Sequence, residues 1–385
     1  MDKIRVLHLI QNLNIGGLER IAAQIAAGLD QSRFEAELWC LSGGGPLEHL
    51  LGNSVPVRTF DYKRYLFPGN LLSLSIEIRK GRFDIVHTHS YAPGIMGRIS
   101  AKAAGIRIIF HHHHSISASM MNTRHRVCEQ FVTGFLTDEV IACSEAAREF
   151  IVREKFVKND KVTVIYNGVP DEFEKNSGLA EELKLELGVN DETVLTAVGS
   201  LTSVKGHIYL LEAVRIMLGS GLKVKLIIVG SGPEREALES RISEYGLSGS
   251  AILAGAREDV RPYLEIADIF VLPSLLESMS ISSVEAMAKR LPVIASRTGG
   301  VTEVVNDGET GILVNPADPA QLAGAIEGLM KDRPARELMG EKGYARYRNM
   351  FTLAGMIDNI QGLYTAFYES KIKHAQTRRS KLQYP

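Results

Sequence analysis

Residues 267–288 read Ala267-Asp268-Ile269-Phe270-Val271-Leu272-Pro273-Ser274-Leu275-Leu276-Glu277-Ser278-Met279-Ser280-Ile281-Ser282-Ser283-Val284-Glu285-Ala286-Met287-Ala288. The run 269–272 is uniformly apolar and stops at a proline. Continuous rather than alternating hydrophobicity is the mark of a parallel strand covered on both faces. A serine-rich turn follows, and then a helix beginning near Val284. Strand, turn and helix in this order form half of a βαβ unit. Two carboxylates, Glu277 and Glu285, bracket the turn. Most glutamates are simply solvated. At the mouth of a strand, however, a carboxylate can accept charge-assisted hydrogen bonds from a vicinal diol. The unpaired amides that open a helix suit an anionic diphosphate.

The same alternation extends in both directions. Apolar runs predict strands at 4–10, 36–41, 55–60, 84–87, 106–111, 140–143 and 162–166. A second series falls at 194–198, 224–229, 251–253, 269–272, 293–295 and 311–314. Strand-helix alternation on this scale predicts an α/β protein with doubly wound sheets. Between the two series lies Tyr166-Asn167-Gly168-Val169-Pro170, a turn signal, followed by a polar stretch to Ser177 and a helix over 179–187. The expected domains are 1–170 and 178–355, hinged near 168–178, with a last helix at about 356–371 that is expected to pack back on the first domain.

The 385 residues exceed one ordinary core, in agreement with two domains. Apolar residues make up 45% and charged residues 23%, the balance of a globular chain. A net charge of -1 supplies no global field for nucleic acid, so no nucleic-acid partner is expected. Cys40, Cys128 and Cys143 are scattered and odd in number, which fits a reducing cytosol better than a disulfide framework. No signal-peptide layout opens the chain, and no apolar run approaches the roughly 18 residues of a membrane helix. The expectation is a cytoplasmic protein that can touch a membrane surface.

Several turns carry chemistry. Gly16 and Gly17 lie between the first strand and its helix, where glycine lets a ligand approach the backbone and its phosphate meet free amides. A plain tight turn would need the same residues. Gly230-Ser231-Gly232-Pro233 has Arg235 at the third glycine position of a dinucleotide fingerprint, so loop closure is the preferred reading. Lys205-Gly206 follows the second domain's first strand, at the carboxyl end where parallel sheets bind ligands, and Lys205 can reach a pyrophosphate there. His111-His112-His113-His114 is predicted to terminate a buried strand. Alternation puts His111 and His113 on one face and His112 and His114 on the other, so four convergent metal ligands from the run are not expected. His87 and His89 make a similar, weaker case one strand earlier. No Asp-x-Asp occurs in the chain, which argues for diphosphate neutralisation by Lys205, helix N-termini and Arg257 rather than by a metal ion. Neither a metal nor a cofactor is expected.

Together these residues resemble a family 4 glycosyltransferase of the GT-B fold, with two Rossmann-like domains facing across a cleft. The resemblance spans nearly the full length and is most specific from Gly255 to Val314. It includes Glu277-x7-Glu285 and Arg297-Thr298-Gly299-Gly300-Val301-Thr302-Glu303-Val304-Val305. The resemblance implies a retaining, metal-independent transferase that moves a hexose from a UDP- or GDP-linked donor to a saccharide or lipid-linked acceptor in cell-surface polysaccharide or glycolipid synthesis. Glu277 would contact the transferred sugar, and Glu285 the ribose hydroxyls. Lys205 and the backbone around Ser280 and Ile281 would hold the diphosphate, Arg257 would face the base, and Gly17 would approach the diphosphate from the first domain. The catalytic histidine falls within the run, where spacing favours His113 and His111 shares its face. One departure stands out: Ser200 occupies a position where the family commonly has arginine. A sugar-nucleotide epimerase, a phosphorylase and a non-catalytic nucleotide-sugar-binding protein are the alternatives that share this architecture. The acid-free tail with Lys371, Lys373, His374, Arg378, Arg379 and Lys381, and the stretch Tyr62–Phe67, are candidates for contact with an anionic membrane.

Overall fold

In a computed structural model, residues 3–116, 123–154, 156–171 and 177–383 are described, the side chains of 92, 123–125, 177 and 372–383 excepted. The chain divides into two compact units, Met1–Asn167 with Leu353–Pro385, and Gly168–Thr352. The two crossings between them are tied together: Val169 N donates to Phe351 O at 3.0 Å, and Tyr347 Oη donates to Val169 O at 3.3 Å. Of the expected hinge, residues 172–176 lie outside the described residues.

The first unit holds β1 (Ile4–Ile10), β2 (Phe34–Cys40), β3 (Val57–Thr59), β4 (Ile85–His89), β5 (Ile108–His113), β6 (Glu139–Ala142) and β7 (Val162–Val164). They form one parallel sheet in the order β3-β2-β1-β4-β5-β6-β7. The second holds β8 (Thr193–Val198), β9 (Val224–Val229), β10 (Ala251–Gly255), β11 (Ile269–Leu272), β12 (Val293–Ser296) and β13 (Gly311–Val314), ordered β10-β9-β8-β11-β12-β13. All of its pairings are parallel as well. Every residue of β9 is buried, including Lys225, whose amine reaches out to the Gly249 carbonyl at 2.9 Å. Leu195, Val214, Leu226, Ile228, Val271 and Ile294 share the second core, and Leu7, Leu9, Trp39, Val86 and Ile109 the first.

In both sheets the strand order reverses once, between β1 and β4 and between β8 and β11. Ligands of such sheets bind outside the carboxyl ends of the strands at this switch point, because the flanking crossovers leave to opposite faces there and open a crevice.

The structure departs from the sequence reading in three places. The histidine run ends its strand from within: β5 continues past 111 to His113, with His111 and His112 paired to both β4 and β6 and His113 to β6 alone. The strand expected at 55–60 shrinks to Val57–Thr59, since Pro56 has no amide to give to a ladder. The last helix runs Leu353–Gln383, well past 371. It packs on the first unit through Asp30 N, which donates to Gln361 Oε1 at 2.7 Å, and through Lys371 Nζ, which lies 2.9 Å from Asp138 Oδ1. The tail cations beyond Lys371 have side chains outside the described residues.

Candidate active site at the two switch points

In the second unit the turn after β8 and the turn after β11 are locked to each other. Gly206 has φ 66, and a Cβ there would run into the Pro273 carbonyl, so the close approach of the two turns requires glycine on both counts. Leu275 N then donates to Val204 O at 2.8 Å. This backbone contact brings Lys205 and Glu277 together: Lys205 Nζ lies 2.5 Å from Glu277 Oε2, and Ser274 Oγ donates to the same oxygen at 3.4 Å. The pair is 23% and 12% exposed, shielded yet open on one side. Gly300 N donates to Glu277 O at 3.1 Å and Thr298 Oγ1 to Leu275 O at 3.1 Å, so the Arg297–Val305 segment braces the loop that carries the carboxylate.

Ser280 caps the helix Ile281–Ala288, with its Oγ accepting from Ser283 N at 3.1 Å. Helix geometry leaves the Ile281 and Ser282 amides without intrahelical partners, and the positive end of the dipole adds to their pull on an anion. Glu285 rides on this helix one turn beyond Ile281, partly exposed. Ser200 is exposed, its carbonyl 3.3 Å from His207 Nε2. Burial holds the His207 imidazole down to about 4, so it is neutral at physiological pH. Lys205 is thus the cation of this turn. Arg257 is not gathered into the group. It follows β10, two strands away from β8, and its Nε donates to Ala254 O at 3.2 Å while the guanidinium lies over Tyr263.

In the first unit, Gly16 precedes the helix Gly17–Gly28, whose N-terminal turn is faced by that helix's own Glu19: a Cβ on Gly16 would meet the Glu19 carboxylate. Burial raises the Glu19 pKa. An anion approaching Gly17 must displace this carboxylate. The histidines divide as side-chain alternation requires. His111 and His113 lie on the face of Gly94, Arg98 and Phe150, with His111 Nδ1 3.0 Å from Thr88 Oγ1 and the His113 ring on Phe150. Both are buried, at 3% and 8% exposure. Burial lowers the pKa of each, with nearby Arg98 adding to the effect and Glu129 opposing it at His113. Beneath them a fully buried Arg98 donates from Nη2 to both carboxylate oxygens of Glu129, at 2.7 and 3.0 Å, and from Nη1 to Thr133 Oγ1 at 2.7 Å.

On the opposite face, His112 and His114 meet His87 and His89 from β4, which in turn meet His8 from β1. The expectation that alternation keeps metal ligands from converging holds within the run but not for the sheet, because adjacent strands add imidazoles to the same face. His8 escaped the sequence reading, although a lone histidine inside Ile4–Ile10 was a visible signal. Ser274 and the Arg98–Glu129 pair were also missed; nothing in the local pattern marks an arginine on the helix Ala92–Ala104 as buried.

Comparison with known proteins agrees with this layout. The model described as Glycosyltransferase Family 4 matches residues 15–173, and that described as Glycosyl transferases group 1 matches 180–346. An Escherichia coli protein named UDP-Gal:alpha-D-GlcNAc-diphosphoundecaprenol alpha-1,3-galactosyltransferase is 29% identical over 381 residues, covering 94% of this chain and 97% of that one. The Staphylococcus aureus capsular polysaccharide biosynthesis glycosyltransferase CapM is 28% identical over 241 residues, 60% of this chain and 63% of its own. Among solved structures, Anabaena HepE in complex with UDP and glucose superimposes with a TM-score of 0.84 at 22% identity, over 94% of this chain and 99% of that one, a likeness of fold. With both halves matched in order and both sheets doubly wound, the chain belongs to the family 4 glycosyltransferases and has their GT-B fold.

Proposed function

We propose that this glycosyltransferase moves a hexose from a UDP-linked donor to a lipid-diphosphate-linked or free saccharide, with retention at the anomeric carbon and without a metal ion at the donor site. The observation that carries the reading is the Lys205–Glu277 pair at the β8/β11 switch point, beside a serine-capped helix N-terminus. The donor's diphosphate would draw Lys205 off Glu277 and rest against the Ile281 and Ser282 amides. Glu277, released from its partner, would accept from a sugar hydroxyl, and Glu285 from the ribose. The nucleotide choice follows the UDP-sugar named for the Escherichia coli relative.

In the transfer step the C1–O bond to the β-phosphate breaks and the diphosphate leaves with the electron pair. The acceptor hydroxyl forms the new C1–O bond from the same face and passes its proton to the departing phosphate oxygen. Lys205 and the helix amides stabilise the charge that develops on the leaving group, where fixed donors act most strongly. Glu277 steadies the sugar and does not attack it. The absence of Asp-x-Asp from the sequence supports metal-independent transfer; among the described residues, groups of three metal-ligating side chains occur only among the first unit's histidines. No helix of the described residues is long and apolar enough to cross a membrane. Peripheral contact is supported by exposed Leu66, Phe67, Leu72 and Ile76 next to Lys63, Arg64, Arg79 and Lys80, an apolar and basic surface suited to anionic lipid.

The test is a thermal-shift panel of UDP- and GDP-hexoses, followed by proton NMR of the product made on a diphosphate-lipid acceptor in anionic and in neutral vesicles. One UDP-hexose should raise the melting midpoint by ligand linkage. The product should keep the donor's anomeric configuration, and anionic vesicles should give the faster transfer. A panel with no responding donor at saturation removes the reading, and an inverted product removes its mechanism.

A further inference from the structure

Five imidazoles on one face of the first unit's sheet, those of His8, His87, His89, His112 and His114, take no part in the proposed transfer, and their arrangement is unusual for a protein core. His8, His87, His89 and His112 have no solvent exposure, and His114 is the partly exposed outer member. Their rings form a continuous cluster: His8 to His87 5.2 Å between centroids, His87 to His89 4.3 Å, and His112 to His114 4.1 Å. Few of their nitrogens are satisfied. Among the described residues, His8 Nε2, His87 Nε2, His89 Nδ1, both nitrogens of His112 and His114 Nε2 are buried without a hydrogen-bond partner. A neutral imidazole carries one donor and one acceptor, and each buried group left unmade costs about 1–3 kcal/mol. A cluster of this kind costs stability unless something binds it.

We propose that His8, His87 and His89, on adjacent strands β1 and β4, form a binding site for a divalent transition-metal ion of the zinc class, extended outward by His112 and His114. One nitrogen from each of the three lies within 4.8 Å of the others, and the same is true of His89, His112 and His114. His8 Nδ1 and His89 Nε2 are 3.2 Å apart. Two ligands on a tetrahedral zinc, each about 2.0–2.1 Å from it, stand roughly 3.3 Å apart. His87 is oriented for ligation by its other nitrogen, since Nδ1 lies 2.5 Å from Tyr364 Oη on the terminal helix and Nε2 is left open. Ligating histidines characteristically have the second ring nitrogen held in this way, which among the three is seen at His87; His8 Nε2 and His89 Nδ1 have no such partner among the described residues. An all-imidazole set suits zinc, cobalt, nickel or copper and excludes magnesium and calcium, which require oxygen. The ion would cross-link β1 to β4 and, through Tyr364, to the terminal helix. It takes no part in the transfer step.

The experiment uses the full chain without an affinity tag, stripped by chelator and dialysed against cobalt(II) or zinc(II) chloride. Metal content, the visible spectrum of the cobalt form and the melting midpoint are read. One equivalent of metal should be retained, cobalt should show the intense visible bands of a four-coordinate nitrogen site, and zinc should raise the midpoint. His89→Gln, which keeps a polar side chain of similar reach but has no imidazole, should weaken binding at least tenfold and abolish the zinc-induced shift, whereas His111→Asn on the other face of the same sheet should leave both intact. His112→Asn is the second variant should His89→Gln fold poorly, with a smaller loss expected. Retention below a tenth of an equivalent, or equal binding by wild type and the His89 and His112 variants, overturns the proposal. A donor-induced thermal shift in the stripped protein keeps this result separate from that of the transferase reading.

Discussion

The two sheets of this chain have the same winding and the same switch point, yet they finish their strands with opposite chemistry. The ends of β8 and β11 carry a charge pair, Lys205–Glu277, partly open to solvent and framed by serines. The ends of β1, β4 and β5 carry neutral imidazoles packed out of water, backed on the other face of β5 by the buried Arg98–Glu129 pair. A pair shielded on most sides but open on one can give up its partner to an incoming anion from that side. That is the property a site for an anionic ligand needs. A dry cluster of uncharged rings cannot exchange in this way, and its open nitrogens suit something small enough to be enclosed. The fold supplies the place, and the residues at the strand ends decide what is bound there.

The largest expected effect that would break or sharpen this contrast is acid sensitivity. His8, His87, His89, His111, His112, His113 and His114 all have pKa values held below 6.5 by burial, His8 and His114 at about 3. The second unit has one such residue, His207 at about 4. A histidine with a depressed folded pKa contributes its full stability above pH 6.5. Below that the unfolded chain binds the extra protons, so the contribution is lost as pH falls from 6.5 toward the folded value. Each group costs up to about 1.4 kcal/mol per pH unit in that window, and their sum over the cluster reaches several kcal/mol. Trp39, the single tryptophan, is buried in the first unit's core and reports its unfolding by fluorescence. In chelator-stripped protein the first unit should lose its structure at a higher pH than the second, whose amides hydrogen exchange can follow. Simultaneous loss would mean that the two units do not differ in this respect.

Next in size is Lys205→Ala. Removing one fixed donor to a developing charge costs about 2.7–4 kcal/mol, a fall of roughly 10²–10³ in kcat. The melting midpoint of the second unit should fall as well, because the shielded Glu277 carboxylate loses its cation, and Lys205→Arg should recover the midpoint more than the rate. A comparable rate with alanine would shift the burden of charge stabilisation to the helix amides alone. The smallest effect is that of Ser280→Ala. Loss of the cap should cost about 1 kcal/mol in the second unit, read by denaturant unfolding followed through hydrogen exchange. It should leave the Trp39 transition of the first unit unchanged.

Much of this architecture is legible along the chain. β1, β9, β11 and β13 fall on the expected runs, because a strand covered on both faces is apolar along most of its length, with Arg5 and His8 in β1 and Lys225 in β9 the exceptions. Gly206 and the proline after β11 mark their turns by backbone geometry that few other residues adopt. Glu277 and Glu285 were visible as carboxylates at a strand mouth. What could not be read was company. His8 and His89 stand 81 positions apart and meet only because β1 lies beside β4. Lys205 and Glu277, 72 positions apart, meet because β8 lies beside β11. Arg98, on a helix with an ordinary polar pattern, is buried by the helix Thr123–Leu136 packed against it.

The sequence by itself determined the alternation of strands and helices, the position of the break between two series, the turns that need glycine and the family to which the chain belongs. Those properties rest on short-range physics: side-chain periodicity, backbone dihedrals and the length a buried strand can have. The tertiary structure alone decided that five histidines share one face, that an arginine is paired in the core, and that the lysine and carboxylate of separate turns form a single pair. Those depend on the order in which strands lie side by side. That order is set by the burial of whole apolar faces rather than by any residue's neighbours in the chain.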